Sequence, residues 1–407
     1  MKRVVVTGLG AVTPLGNNVP DTWDAMLRGV NGIDTITRFD VSESKYKFAG
    51  ELKGFDPLTV MDKASVRKTD RFTQYALAAA QEAVNDSTLD CAEENDRMGV
   101  YFGSGIGGFE TFEENEVALL QHGPRKVSPH FIPKMIANIA AGQIAIRFKA
   151  TGPCIAVTTA CATASTAIGE AFRAIRHGYA DVIVAGGSEA AIVPLALAGF
   201  GNCKALSAAE NRDEASLPFD ARRGGFVMGE GAAALILEEY EHAVARGAKI
   251  YAEVCGYGST CDAYHVTAPS PDAKSITNAI HQAMEGQDVD ASRIYINAHG
   301  TGTHLNDMTE TKAFKAAFGD DAYKLHISST KSMTGHMLGA AGAIEAIAAI
   351  KALGTNMIPP TINLKESDPE LDLNYTPNTA VETELDLALS TNLGFGGHNA
   401  CLAFKKC

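Results

Sequence analysis

Val157-Thr158-Thr159-Ala160-Cys161-Ala162-Thr163-Ala164-Ser165 opens the segment whose reading decides the fold. It predicts a helix over 161–177, where Ala162, Ala164, Ile168, Phe172 and Ile175 recur among small residues and His177-Gly178 gives a stop signal. So little side-chain bulk in the first two turns means close packing against other backbone, hence burial. The β-branched run 182–185 follows as a buried strand. A buried helix feeding a buried strand belongs to an α/β fold with helices on both faces of the sheet.

The alternation continues along the chain. Further strands are expected at 3–7, 98–102, 232–237, 294–297, 325–328 and 400–404, and helices at 72–85, 241–246, 274–285, 308–318 and 337–353. Residues 387–392, the loop Gly394-Phe395-Gly396-Gly397 and residues 399–405 read as a hairpin. Segment 256–275, rich in Gly, Ser, Pro and Thr, is a candidate seam between two halves, or equally a long surface loop.

With 407 residues, 46% hydrophobic and 20% charged, the chain can bury a large core in two or three domain-sized units. A net charge of −13 argues against nucleic acid as main partner, since phosphate binding needs a basic surface. Eight cysteines without a Cys-x-x-Cys pair argue against a disulfide framework or structural zinc. Gly8 and Gly10 interrupt the apolar start before a secretory segment forms, and Glu345 interrupts the Ala-rich run 338–350, so no membrane span is expected. These features predict a reduced, soluble, cytoplasmic protein.

Cys161 stands at the mouth of its helix, where peptide dipoles favour thiolate. Alone it reads more readily as a small buried apolar residue, as the other seven cysteines do. Two histidine segments change that balance. His299-Gly300-Thr301-Gly302-Thr303 follows an expected strand, and strand ends carry ligand sites in α/β proteins. Lys331-Ser332-Met333-Thr334-Gly335-His336 leads into the Ala-rich helix, where Glu345 is costly unless a cation meets it; Lys331 is the expected partner. One thiol and two imidazoles beside glycines and hydroxyls point to acyl transfer through a thioester. His299 and His304 lack a third group at ligand spacing, so no metal is expected. The other histidines read as structural, His265 being the least settled of them.

Gly103-Ser104-Gly105-Ile106-Gly107-Gly108 formally matches a dinucleotide fingerprint, but the acidic residue that motif needs further on is missing; around position 123 the chain reads His122-Gly123-Pro124-Arg125-Lys126. It is read instead as a glycine turn lining a pocket, with Ile106 as wall. Lys63, Arg67 and Arg71 recur at four-residue intervals with Lys68 beside them, which predicts a basic helical face; Arg125, Lys126 and Lys204 add positive charge.

Together these residues resemble the β-ketoacyl-[acyl-carrier-protein] synthases, the condensing enzymes of the synthase I/II type, and most nearly their stand-alone elongating type II members. The resemblance runs almost end to end, from Arg3-Val4-Val5-Val6-Thr7-Gly8-Leu9-Gly10 through Asp181–Glu189 and Pro218–Phe226 to Asn392-Leu393-Gly394-Phe395-Gly396-Gly397-His398-Asn399. It implies a thiolase-like αβαβα five-layer fold of two similar halves, 1–255 with the nucleophile and 256–407 with the two histidines, in a homodimer. Histidine at both positions matches types I and II; thiolases use one His with a second Cys, and type III uses His and Asn. Cys161 excludes the polyketide chain-length factors.

The resemblance implies that Cys161 carries an acyl chain delivered by an acidic acyl carrier protein. His299 and His336 would bind the malonyl thioester carbonyl and stabilise the enolate left by decarboxylation, with Lys331 and Glu345 orienting them. The N–H groups of Cys161 and Phe395 would form the oxyanion hole, and Phe395 between Gly394 and Gly396 would gate malonyl entry. Thr301, Thr303 and Thr267 would contact the pantetheine, and Ile106 would line the acyl tunnel. Lys63, Arg67, Lys68, Arg125, Lys126 and Lys204 would dock the carrier. No cofactor is implied, since the phosphopantetheine arrives on the carrier. Ala164, Leu393 and His304 depart from common family residues, Leu393 beside the gate loop. A polyketide ketosynthase and a non-catalytic acyl-binding subunit are the competing readings.

Overall fold

A computed structural model describes residues 1–407. Ten strands form the main sheet: β1 (Val4–Val12), β2 (Met98–Gly103), β3 (Cys154–Ile155), β4 (Val182–Glu189), β5 (Gly231–Glu239), β6 (Ala252–Cys261), β7 (Ile294–Asn297), β8 (His326–Ser328), β9 (Leu387–Gly394) and β10 (His398–Lys405). Their spatial order is β8-β7-β9-β10-β6-β1-β5-β4-β2-β3. This is one five-strand design used twice, parallel on its outer side and antiparallel toward the centre. The two runs join where β1 and β6 share two residue pairs, Val5↔Glu253 and Val6↔Ala252.

Helices α1 (Arg71–Ser87), α2 (Thr163–Arg176), α3 (Lys274–Met284), α4 (His304–Phe318) and α5 (Ala341–Thr355) complete the layers. Both α2 and α5 touch strands of the two runs, and they share one core that includes Ala164, Ile168, Phe172, Ile344 and Ile350. On the outside, α1 covers the first run, while α3 and α4 share the core beyond the second. The stack is therefore helix, sheet, helix, sheet, helix, as expected.

The outer layers repeat one packing device. A Cβ on Gly8 or Gly10 would lie 2.2 or 2.0 Å from the carbonyl oxygens of Ala83 and Ala79 in α1. On Gly256 or Gly258 it would lie 1.9 or 1.8 Å from those of Ala283 and Ala279 in α3. Strand and helix backbones touch directly at both places, which only glycine permits.

Three expectations change. The boundary drawn at 255/256 falls inside β6, which pairs along its length with β10, so this part of the Gly- and Ser-rich seam is strand rather than loop. The basic stripe is not one helical face: the helix Lys63–Lys68 ends before α1 starts at Arg71, Asp62 and Asp70 cap two separate helices, and Arg71 is paired with Glu110. Segment Leu338–Thr355 does have the length and apolarity of a membrane span, but it is 83% buried as the middle helix layer.

Candidate active site

Cys161 sits in the single 3-10 turn Ala160–Ala162 that leads into α2. The preceding residue, Ala160, has φ 50°, a left-handed conformation that turns the chain sharply into the helix. Thr159 N–H donates to Thr163 Oγ1 at 2.9 Å, and the Thr159 and Thr166 hydroxyls lie 2.9 Å apart, which pins the turn to α2. The end of β9 presses on the same turn, since a Cβ on Gly394 would lie 2.5 Å from the Thr159 carbonyl oxygen. This contact brings the backbone N–H of Phe395 to the sulfur.

His299 leaves the end of β7, and His336 lies between two short turns ahead of α5. Their rings meet edge to face with centroids 5.2 Å apart, and Phe226 packs on His336 at 5.1 Å. Cys161 Sγ and one nitrogen of each ring all lie within 4.8 Å of one another. The three groups first picked out along the sequence thus converge on one point. Zinc accepts such a sulfur and nitrogen donor set; the Lys331 ammonium, itself paired with Glu345, acts on both rings.

Burial dominates the electrostatics. It pushes the Cys161 thiol up to about 12, with Lys331 and the Phe395 N–H pulling the other way. Burial of the sulfur thus works against the thiolate that the helix mouth is expected to favour. Burial, assisted by Lys331, holds both histidines well below 6.5, so both imidazoles are neutral at pH 7. Lys331 and Glu345 form the expected ion pair, 2% and 1% exposed. Burial raises the Glu345 carboxyl, and Lys331 and Asn392 oppose that rise.

Four polar residues of this centre are not evident from sequence. Glu310 on α4 accepts the N–H groups of His299 (2.8 Å) and Gly300 (2.6 Å) and the hydroxyl of Thr391 (2.9 Å); burial raises it to about 7. Asp307, one turn earlier, accepts the Phe219 N–H at 2.8 Å. Glu189 at the end of β4 ties Ser104, Gly105 and Ile106 to Gly339, joining the glycine turn to the entry of α5. Asn392 on β9 bridges Ser165, Glu345 and His299. The sequence reading starts α4 at 308, so Asp307 falls outside that helix and its pairing with Glu310 on one buried face goes unread.

The catalytic centre opens into a cavity of about 330 Å³, lined among others by Phe226, Thr267, Thr301, Thr303, Gly394, Phe395 and Lys204. Thr301 and Thr303 place their hydroxyls 3.1 Å apart. Gly396 is turned away, its N–H bound to the Val266 carbonyl, and does not line the cavity. Ile106 lies outside that opening, in an apolar cluster with Phe109, Phe200, Ile192 and Leu197 that Cys161 also touches. His265 is exposed and accepts the N–H groups of Thr267 and Ala268, holding the rim loop. Lys63, Arg67, Lys68, Arg125 and Lys126 are exposed but do not reach the cavity; Lys204 stands at its mouth.

This double five-strand architecture with a Cys-His-His centre is that of a condensing enzyme. Descriptions of a β-ketoacyl synthase N-terminal domain and C-terminal domain match residues 1–243 and 251–365, and the chain belongs to the β-ketoacyl synthase family. It is 52% identical over 409 aligned residues to 3-oxoacyl-[acyl-carrier-protein] synthase 2 of Synechocystis sp., covering 100% of this chain and 98% of that protein. With the protein of the same name from Staphylococcus aureus it shares 50% over 407 residues, at the same coverages. A β-ketoacyl synthase crystal structure from Burkholderia phymatum superposes with TM-score 0.92 at 36% identity and 100% coverage of both chains. A type II polyketide ketosynthase in complex with its acyl-carrier protein gives 0.91 at 33%, covering 100% of this chain and 99% of that one.

Proposed function

We propose that the chain catalyses decarboxylative condensation of an acyl chain, held as a thioester on Cys161, with malonyl-[acyl-carrier-protein]. The product is 3-oxoacyl-[acyl-carrier-protein], the elongation step of fatty acid synthesis. The observation that carries this is the convergence of one thiol and two neutral imidazoles within 4.8 Å at a cavity.

In the first half-reaction Cys161 Sγ attacks the acyl thioester carbonyl. A protonated thiol needs a base, and a neutral imidazole within reach takes that proton and returns it to the departing carrier thiol. The N–H groups of Cys161 and Phe395 face the oxygen of the tetrahedral intermediate. The apolar cluster around Ile106 and Phe200 would hold the chain. In the second half-reaction the malonyl carbonyl accepts N–H donors from His299 and His336. The carbon–carboxyl bond breaks, carbon dioxide leaves, and its electron pair becomes the enolate. Neutral donors suit this step, and the charge of Lys331 favours the negative intermediate. The enolate carbon then attacks the Cys161 thioester, forming the new carbon–carbon bond and expelling the sulfur as thiolate, which takes one proton from solvent to restore the thiol.

Thr301, Thr303 and Thr267 would receive the pantetheine at the cavity mouth, where Lys204 would meet the acidic carrier, with Lys63, Arg67, Lys68, Arg125 and Lys126 as a wider basic approach. A homodimer is supported by the exposed edge strand β3 and by the exposed apolar side chains Ile155 and Ile146. The reaction draws on soluble carriers, consistent with a cytoplasmic location. Two halves are supported by the paired five-strand runs, dividing before β6.

The test is the isolated chain with acyl and malonyl carrier thioesters, beside Cys161→Ala. The wild type is expected to release the 3-oxoacyl product, and C161A to release none while still decarboxylating malonyl thioester. Condensation by C161A would refute the reading. A requirement for a second, different subunit would favour a polyketide ketosynthase, which the likeness to the polyketide structure keeps in view.

A further inference from the structure

Asn392 is fully buried on β9, in the middle of the catalytic polar network, and belongs to none of the roles assigned so far. Its carboxamide meets three partners on three elements. Ser165 on α2 lies 2.5 Å from Oδ1. Glu345 Oε2 on α5 lies 2.7 Å from Nδ2, and His299 Nδ1 lies 3.3 Å from the same nitrogen. The junction is tight: a Cβ on Gly342 of α5 would lie 2.1 Å from Ser165 Oγ and 3.0 Å from Asn392 Oδ1.

Chemistry fixes which way the carboxamide points. Glu345, paired with Lys331, only accepts, so the atom facing it must be the NH₂ group. Ser165 then donates its hydroxyl proton to Oδ1. One N–H of Asn392 is used by Glu345 and the other is left for His299. A nitrogen that receives an N–H must offer a lone pair, so Nδ1 of His299 is the unprotonated ring nitrogen. Its proton therefore sits on Nε2, the ring nitrogen that Asn392 does not contact.

We propose that Asn392 is a positioning residue that selects the Nε2–H tautomer of His299 and so makes it a donor to the thioester carbonyl. The inference rests on the condensing function above and deepens it. Lys331 alone would keep the ring neutral but leave either tautomer open; the carboxamide decides between them. Around the ring the other charged or titratable groups are Lys331, His336, Cys161, Glu310 through the backbone N–H, and Glu345 through Asn392 itself. The Ser165 contact also ties this choice to the helix that carries the nucleophile.

Two variants test the proposal. Asn392→Leu removes the donor. Asn392→Asp keeps the shape and the acceptor for Ser165 but turns an acceptor toward both Glu345 and His299, forcing the proton onto Nδ1. Each is assayed separately for acyl transfer to Cys161, by intact mass, and for malonyl decarboxylation. Decarboxylation should fall about 100-fold in both, the usual loss for one oxyanion donor, with acyl transfer within about threefold of wild type by the same reasoning. In N392D the residual decarboxylation should rise as pH is lowered from about 8 to about 6, because a doubly protonated ring regains its Nε2–H beside a carboxylate. Wild-type decarboxylation should stay flat there. Unchanged decarboxylation in either variant overturns the proposal, as does an equal fall in both half-reactions, which marks a merely structural role. If the wild type itself fails to decarboxylate, the condensing function has failed instead.

Discussion

Replacing Lys331 by Met removes the only cation from a pair that is 2% and 1% exposed. Glu345 is left with the Asn392 N–H as its sole donor. Breaking a buried pair from one side costs about 3–5 kcal/mol, because the surviving charge stays desolvated. Unfolding entropy runs at about 2.1 cal/mol/K per residue, so for 407 residues one kcal/mol corresponds to about 1 °C. K331M should therefore melt about 4–6 °C below wild type in calorimetry. Burial raises the Glu345 carboxyl. With the lysine gone the folded state takes up a proton more readily than the unfolded chain, so the deficit should grow as pH rises. The companion variant K331M/E345Q keeps an oxygen for Asn392 without a charge, and should recover at least half of the loss. A K331M midpoint within about 1 °C of wild type, or a double variant no more stable than the single one, would refute the claim that the pair is held together by mutual neutralisation.

Other outcomes follow from the same geometry. Both histidines titrate well below 6.5 when folded, so the unfolded chain protonates first; their contribution is complete above about pH 6.5 and is lost as pH falls. In denaturant titrations H299Q/H336Q should show a weaker acid-side decline than wild type, and an identical slope would count against burial as the cause. Gly394→Ala places a Cβ 2.5 Å from the Thr159 carbonyl oxygen, which must push β9 off the nucleophile turn. Acyl transfer to Cys161 in that variant should drop at least about tenfold, and retention of the wild-type rate would show that the contact is not needed. Lys204→Glu should raise KM for the carrier more than Arg67→Glu, with the gap narrowing in high salt; the reverse order would move the docking site to the Lys63–Lys68 helix.

The amino-acid pattern alone determined a good deal. Small residues at helical spacing over 161–177, short β-branched runs and the Gly394–Gly397 loop define buried α/β elements, because burial on all sides leaves a continuous apolar signature. Cys161, His299, His336 and the Lys331–Glu345 pair could also be picked out, because an imidazole or an unpaired carboxylate in an apolar stretch is costly without a use, and a thiol at a helix mouth gains meaning beside them. Internal repetition was there to be read as well. Val254-Cys255-Gly256-Tyr257-Gly258 echoes Val6-Thr7-Gly8-Leu9-Gly10, and each pair of glycines receives a helix. Only the folded chain decided what depends on distance between remote segments. What opposes ionisation of the thiol is desolvation by the surrounding layers, a property no local helix pattern reveals. Lys63, Arg67 and Arg71 share a spacing but not a helix, since an Asp70 cap starts a new one. Glu310, Glu189 and Asn392 are ordinary polar residues on paper; they acquire their roles from the backbone amides and rings that the five layers bring against them.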